Sequence, residues 1–507
     1  MSISPQSAQE KIGFFMKNLR EERGMTQAVF AKELGTSQSA VARMEAGKQN
    51  FSTNELLKIS KILNRKLITV SNSMDFRIMG GKKLSGSIAT HFSKNGSVVL
   101  LCASLLNKSK TTLHGIARIE EVHRLIEIME SIGISVRWIA KNSVEVLPPK
   151  TFRLKTLNKV SATRIRSSLM LIGPLMHHVS QIQLPHAGGC KMGNRTIAAH
   201  RYGLESLGMT IDTKNAFYDI KKDKLSPADI VMYEAGDTAA NNLLMAAALI
   251  PGITTIRFAP PNYQVQELCF FLEKMGVRIE GIGTTTLVVH GIQDINKAVE
   301  YHNSEDPIES MMFISAALTT HSKLTITRCP IDFLAIELLK LEKMGMKYTK
   351  TKRYASYNGR TSLVDLTIFP SQLSALPDKI HPLPYPGLNS DNLPFFVPIA
   401  TQTEGTTLVH DWMWENRAIY FTELNKLGAQ VAIADPHRVF VTGKTALKGA
   451  QIVCPPALRP AMIILIAMLA AEGTSILRNV YSINRGYEEI ATRLNSIGAK
   501  IEVLGDL

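Results

Sequence analysis

The stretch Leu184-Pro185-His186-Ala187-Gly188-Gly189-Cys190-Lys191-Met192-Gly193-Asn194-Arg195 concentrates residues that could do chemistry. Two adjacent glycines precede the cysteine, and Gly193 and Arg195 follow it. Glycines permit close backbone approach, so the stretch reads as a loop able to fold over a ligand. Lys191 and Arg195 would lower the thiol's pKa and attract an anion. A thiol so placed can give or take a proton, or attack carbon. An ordinary surface loop with a free cysteine fits the stretch alone equally well.

The elements that must position this loop repeat along the chain. An apolar helix ends in a glycine and a β-rich segment follows. The glycines are Gly133, Gly208, Gly276, Gly345, Gly428 and Gly498, at intervals of 75, 68, 69, 83 and 70 residues. Each fits the position just past a helix, where φ is positive. A second helix rich in Ala, Leu and Met, then a threonine-containing strand, precedes most of them, as in Leu243 to Ile256 and Ile463 to Leu477. Six units of about 70 residues form a repeat architecture. They are too few and too large for a solenoid, so two globular domains of three units with a cleft between them are expected.

A six-unit chain with Lys94-Asn95 near its start and G-G-C-x-x-G-x-R in its second unit resembles the enolpyruvyl transferases. It is most similar to their UDP-N-acetylglucosamine 1-carboxyvinyltransferase branch, over about residues 75–507. The resemblance implies an α/β fold of two inside-out domains (94–304 with the cysteine loop, and 75–93 plus 305–507). It also implies transfer of enolpyruvate from phosphoenolpyruvate to a sugar hydroxyl of UDP-N-acetylglucosamine or a related UDP-sugar, in peptidoglycan precursor synthesis. No cofactor or metal is implied.

Phosphoenolpyruvate carries a phosphate and a carboxylate, so several cations must converge on it. By the resemblance Lys94, Arg195 and Arg485 (N-R-G-Y-E) face the phosphate, and Arg459 (A-L-R) lies nearby. Arg166 (R-S-S-L-M-L-I-G-P-L) and Arg417 (E-N-R) match two further site arginines, and Asn95 would hold the sugar. The reaction must also protonate a carbon and deprotonate a hydroxyl. Cys190 matches the loop cysteine that protonates the enol carbon and that fosfomycin alkylates. Asp391, closing Pro384-Tyr385-Pro386-Gly387-Leu388-Asn389-Ser390-Asp391, matches the base at the acceptor hydroxyl.

Four departures from the family pattern stand out. D-L-R has become Ala457-Leu458-Arg459, which removes a carboxylate. R-x-V-D-L-H reads Arg195-Thr196-Ile197-Ala198-Ala199-His200, so of its ends only Arg195 and His200 remain to serve the substrates. R-E-P-E reads Pro261-Asn262-Tyr263-Gln264, and S-V-G reads Glu234-Ala235-Gly236. The phosphoenolpyruvate half is largely kept and the nucleotide half eroded. A different sugar acceptor, or a ligand-sensing regulator with a degenerate transferase part, are therefore the competing readings.

Residues 9 to 63 read as four or five short helices. Thr26, Ser37 and Ser52 are expected N-caps, and 66–76 a linker or first strand. M-T-Q-A-x-F-A-x-x-L-G-T-S-Q-S-A-V-A-R-M-E-A-G resembles the lambda-repressor-like helix-turn-helix family, giving residues 1–70 a small all-α domain. In that family the second helix of the pair enters the DNA major groove. Here it runs from Ser37 to Glu45, with Gln38, Ser39 and Arg43 outward, while Gln27 would contact the DNA backbone. Such readers usually work as dimers, so a homodimer is a natural expectation.

The chain has 507 residues and a net charge of +15, of which +5 falls in residues 1–74. The first excess favours nucleic acid. The second suits anionic substrates, as it would any basic solvated surface. The apolar run Pro460 to Ala471 is too short to span a bilayer and reads as a buried helix. Five scattered cysteines lack metal-ligand spacing, and all but Cys190 sit in apolar surroundings. A reducing, cytoplasmic setting with no membrane partner is expected.

Overall fold

The computed structural model describes residues 8–49, 51–63, 74–188 and 196–505. They fall into two compact units, an N-terminal helical one and a second running Met74–Leu504.

Among its described residues the first unit holds four helices, Ala8–Glu22, Gln27–Leu34, Gln38–Glu45 and Thr53–Ile62. The three expected caps form. Thr26 accepts from the Val29 amide and Ser37 from the Ala40 amide, each at 3.2 Å. Ser52 and Glu55 cap reciprocally, the Glu55 amide donating to Ser52 and the Ser52 amide to the Glu55 carboxylate. Met16, Leu19, Phe30, Val41, Met44, Ile59 and Leu63 close the core. Helix Ala8–Glu22 comes so close to helix Gln38–Glu45 that a Cβ at Gly13 would lie 2.3 Å from the Met44 carbonyl oxygen. Arg20 Nη2 meets Glu45 Oε2 at 3.0 Å, with both side chains buried. Gln27 Nε2 donates to the same Glu45 oxygen at 2.8 Å, so that part of its amide is held inside the unit. Gln38, Ser39 and Arg43 are exposed.

The second unit contains six small sheets among its described residues. Strands alternate buried and exposed positions, so each sheet covers a core with one face and meets solvent with the other. The helices inside are mostly apolar on every side, as buried helices are. Every residue of Pro307–Thr319 is buried, as are most of Lys94–Ala103 and Leu458–Ala470. The apolar run in the last is therefore interior, and no described helix is long and apolar enough to cross a membrane. All six repeat glycines end helices with φ between 87° and 106°.

Two hydrophobic cores result. One is built from residues between Val98 and Tyr301, the other from residues 76–88 and 308–501 joined by Tyr263. The chain passes between them twice, and the two passages pair with each other. Phe92 bridges Glu305, the Ser93 amide donates to the Ser304 carbonyl at 2.7 Å, and the Asp306 amide to the His91 carbonyl at 2.8 Å. Asn303, fully buried, donates from Nδ2 to the carbonyls of Ser93 and Gly115. Helix Lys94–Ala103 begins at this junction, capped by Ser93.

Candidate active site

Lys94 opens that helix, which fixes its backbone beside the passage: its amide donates to Asp306 Oδ2 at 3.2 Å. Its Nζ lies 2.7 Å from Glu121 Oε2, with both side chains about five-sixths buried. Burial alone would raise the Glu121 carboxyl, but Lys94, Arg485 and the Ser167 hydroxyl hold it below its ordinary value. Glu121 is thus the carboxylate around which Lys94 and Arg485 gather. Arg485 Nε is buried with no hydrogen-bond partner among the described residues.

A second group forms around Asp391. Arg459 Nη2 donates to Asp391 Oδ2 at 3.1 Å, and Arg459 Nη1 to the Tyr487 hydroxyl at 2.8 Å. Arg417, fully buried, donates from Nη2 to Asp411 Oδ1 at 2.8 Å and to the Ser390 carbonyl at 2.7 Å. Its Nη1 is buried without a partner among the described residues. Burial would raise the Asp391 carboxyl, but Arg459, Arg417 and Lys94 together hold it below the usual range, so it is charged at neutral pH. Lys94 and Arg459 also line one small recess with Asp306 and Tyr487.

Asp391 also faces a separate, larger cavity of about 740 Å³. Asn95, Arg166, His200 and Asp391 all line it, with Trp412, Trp414 and Glu415. Asn95 Nδ2 donates to the Tyr263 hydroxyl at 2.8 Å. Arg166 Nη2 donates to the Thr196 carbonyl at 2.8 Å. His200, buried, accepts at Nδ1 from Asn242 Nδ2 at 3.1 Å, and its Nε2 stands 3.4 Å from the Thr238 hydroxyl. Asp237 lies on the same wall. Burial pushes its carboxyl up to about 6, although Asn262 and Gln264 both donate to it. Cys190 and Arg195 lie outside the described residues. Gln38, Ser39 and Arg43 belong to the other unit.

Sequence reasoning missed the partners of the cations, Glu121, Asp306, Asp411 and Tyr487, and the partner of Asn95, Tyr263. Only folding brings them in, since Glu121 is one of two acidic residues in a helix's first turn and looks like ordinary dipole complementation. Ala457, which replaces the family aspartate, is buried and precedes helix Leu458–Ala470 with no side-chain cap. Arg459 nevertheless keeps a carboxylate partner in Asp391.

The family model for EPSP synthase (3-phosphoshikimate 1-carboxyvinyltransferase) matches residues 78–494, and a helix-turn-helix model matches 16–69. The UDP-N-acetylglucosamine 1-carboxyvinyltransferase of Bradyrhizobium diazoefficiens is 33% identical over 436 residues, 85% of this chain and 98% of that protein. The Treponema denticola enzyme of the same name is 34% identical over 437 residues, 85% and 99% of the two chains. Among solved structures, the enolpyruvyl transferase NikO from Streptomyces tendae superposes with TM-score 0.72 at 23% identity, over 86% of this chain and all of that one. An EPSP synthase from Acinetobacter baumannii gives 0.64 at 16% identity, over 85% of this chain and all of its own. The chain therefore belongs to the enolpyruvyl transferase family, on its UDP-N-acetylglucosamine 1-carboxyvinyltransferase branch, with a helix-turn-helix domain at its N-terminal end.

Proposed function

We propose that the second unit transfers enolpyruvate from phosphoenolpyruvate to a hydroxyl of UDP-N-acetylglucosamine, releasing phosphate, as a cytoplasmic step in peptidoglycan precursor synthesis. The observation that carries this reading is the arrangement of Lys94, Arg417, Arg459 and Arg485 around Asp391 and Glu121. It leaves two buried arginine N–H groups, on Arg417 and Arg485, without protein acceptors among the described residues. Anionic oxygens suit such donors. Lys94, Arg195 and Arg485 would hold the phosphate, with Arg459 close by. Cys190 would protonate C3 of the enol, making C2 electrophilic. Asp391 would take the acceptor's hydroxyl proton as its oxygen adds to C2. Collapse of the adduct would expel phosphate and return the C3 proton. Asn95, Arg166, His200 and Arg417 would position the two substrates. Phosphate release measured with phosphoenolpyruvate and a panel of UDP-sugars tests the reading. It should require both substrates and vanish in Lys94→Ala, and unchanged turnover in that variant would displace the site.

The acidic wall formed by Glu234 and Asp237, where the family carries a nucleotide-gripping turn, favours one alternative: a related sugar acceptor. The same panel distinguishes it by which UDP-sugar supports turnover.

The exposure of Gln38, Ser39 and Arg43 supports DNA binding by the first unit, and a dimer is the form in which such a reader would span two half-sites. Substrates that altered operator affinity would have to be altered by operator to the same factor. Selection from random duplexes at fixed salt, followed by Arg43→Ala, tests this. Failure to select any sequence would reject it.

A further inference from the structure

Away from the cavity, strands Thr111–His114 and Val299–His302 run parallel, with His302 beside His114. Strand Ser143–Leu147 flanks the first strand on its other side, with Ser143 opposite His114. Side chains alternate faces along a strand, so Glu300 shares the face of His302. The two imidazole rings stack with centroids 4.4 Å apart. His114 Nε2 lies 2.9 Å from Glu300 Oε1, and His114 Nδ1 lies 2.8 Å from the Ser143 hydroxyl. One ligand atom from each of His114, Glu300 and His302 lies within 4.8 Å of the other two.

We propose that His114, Glu300 and His302 bind a divalent first-row transition-metal ion, zinc in the first place. Two imidazoles and one carboxylate suit zinc and its neighbours rather than magnesium or calcium. Tetrahedral zinc with bonds of ~2.0–2.1 Å holds its donors about 3.4 Å apart. Reaching that from the observed spacing calls for side-chain rotation that unstacks the two rings. The Ser143 hydroxyl can accept from Nδ1–H, which turns the Nε2 lone pair toward the ion, or donate to Nδ1 when Nε2 donates to Glu300. His114 therefore keeps both partners occupied with and without metal. The scaffold is hydrogen-bonded strand, and the Asn303 amide donates to the His114 carbonyl at 3.0 Å. A site on strands holds its geometry better than one on loops. Glu300 and His302 also line a 350 Å³ recess with Tyr357 and Arg360, which leaves room for a water as fourth ligand. Arg360 Nη2 is bonded to Glu273 at 2.9 Å rather than to Glu300.

The test is a cobalt titration of metal-stripped, tag-free, full-length protein carrying Cys190→Ser, which removes the loop thiol as a competing ligand. Visible absorption and calorimetry follow binding, and zinc is added as competitor. One equivalent of cobalt should bind with d–d bands of low coordination number, and zinc should displace it. His114→Ala, His302→Ala and Glu300→Gln should each weaken binding at least tenfold. Glu300 is largely exposed, so Glu300→Gln keeps the test valid if a histidine variant fails to fold. His290→Ala, which removes a comparable surface histidine paired with Glu280, should leave affinity unchanged. Absence of binding up to millimolar metal, or unchanged affinity in Glu300→Gln, would overturn the proposal.

Discussion

Glu121 holds Lys94 through an ion pair of 2.7 Å, and the Arg485 guanidinium acts on the same carboxylate. The carboxylate sets where two cations stand. Glu121→Gln should therefore cut phosphate release about 10- to 100-fold, because a misplaced cation loses most of its orientation benefit. Steady-state kinetics check this: kcat should fall, and an unchanged kcat would show that the carboxylate does not position the cations.

Arg459 divides its planar fork between Asp391 and Tyr487. Lysine cannot serve both directions. Arg459→Lys should lose at least 100-fold in turnover. Tyr487→Phe removes one hydrogen bond worth ~1 kcal/mol and should lose only about fivefold. Equal effects would show that the fork geometry is unimportant.

Asp237 carries a pH signature. Its carboxyl is pushed up to about 6 by burial, so the folded state holds a proton that the unfolded chain has already released. Stability contributed by that proton is fully present below pH 4 and is lost as pH rises through 6. Asp237→Asn should be more stable than the parent at pH 7.5 by on the order of 2 kcal/mol, with the difference gone at pH 4. Denaturant unfolding at both pH values measures it.

Ala457 tests how much the lost family carboxylate matters. Arg459 already has Asp391 and Tyr487 as partners. Pro460, third in the helix, has no amide for a cap to bond. Ala457→Asp should thus change phosphate release less than about threefold, against the ~1 kcal/mol a full cap supplies. A tenfold rise would mean that the natural chain is a weakened enzyme and would favour the ligand-sensing reading.

Fosfomycin should alkylate Cys190 and spare the others, and phosphoenolpyruvate should protect it. Cys102, Cys269, Cys329 and Cys454 are buried, and burial pushes the thiols of Cys329 and Cys454 up to about 12. Such thiols are neither ionised nor reachable. Peptide mass spectrometry locating an adduct on any of the four would contradict this.

The helix caps, the buried helices and the repeat glycines were legible because each is a local rule: Ser37 caps the next turn, and Gly276 ends the helix before it. Lys94, Asn95, Asp391 and the arginines stood out by residue type and by resemblance alone. What held them did not. Glu121 lies 27 residues from Lys94, and Tyr487 lies 28 from Arg459, with nothing local to link them. Gln27 has a partner that its position at a helix start did not announce: its Nε2 donates to Glu45, already paired with Arg20, because a buried carboxylate recruits donors within reach.

The first strand of the second unit, Met74–Met79, and the last, Ile501–Gly505, are neighbours in one sheet, with the Met79 amide donating to the Lys500 carbonyl at 2.9 Å. Both ends of the second unit thus lie on adjacent strands of one sheet. Appending a domain there interrupts no core and lengthens no buried connection. A new junction between those two strands, with fresh ends opened in a surface turn elsewhere, would leave the six sheets intact. A helix-turn-helix joined ahead of Met74 therefore adds chain outside the six sheets.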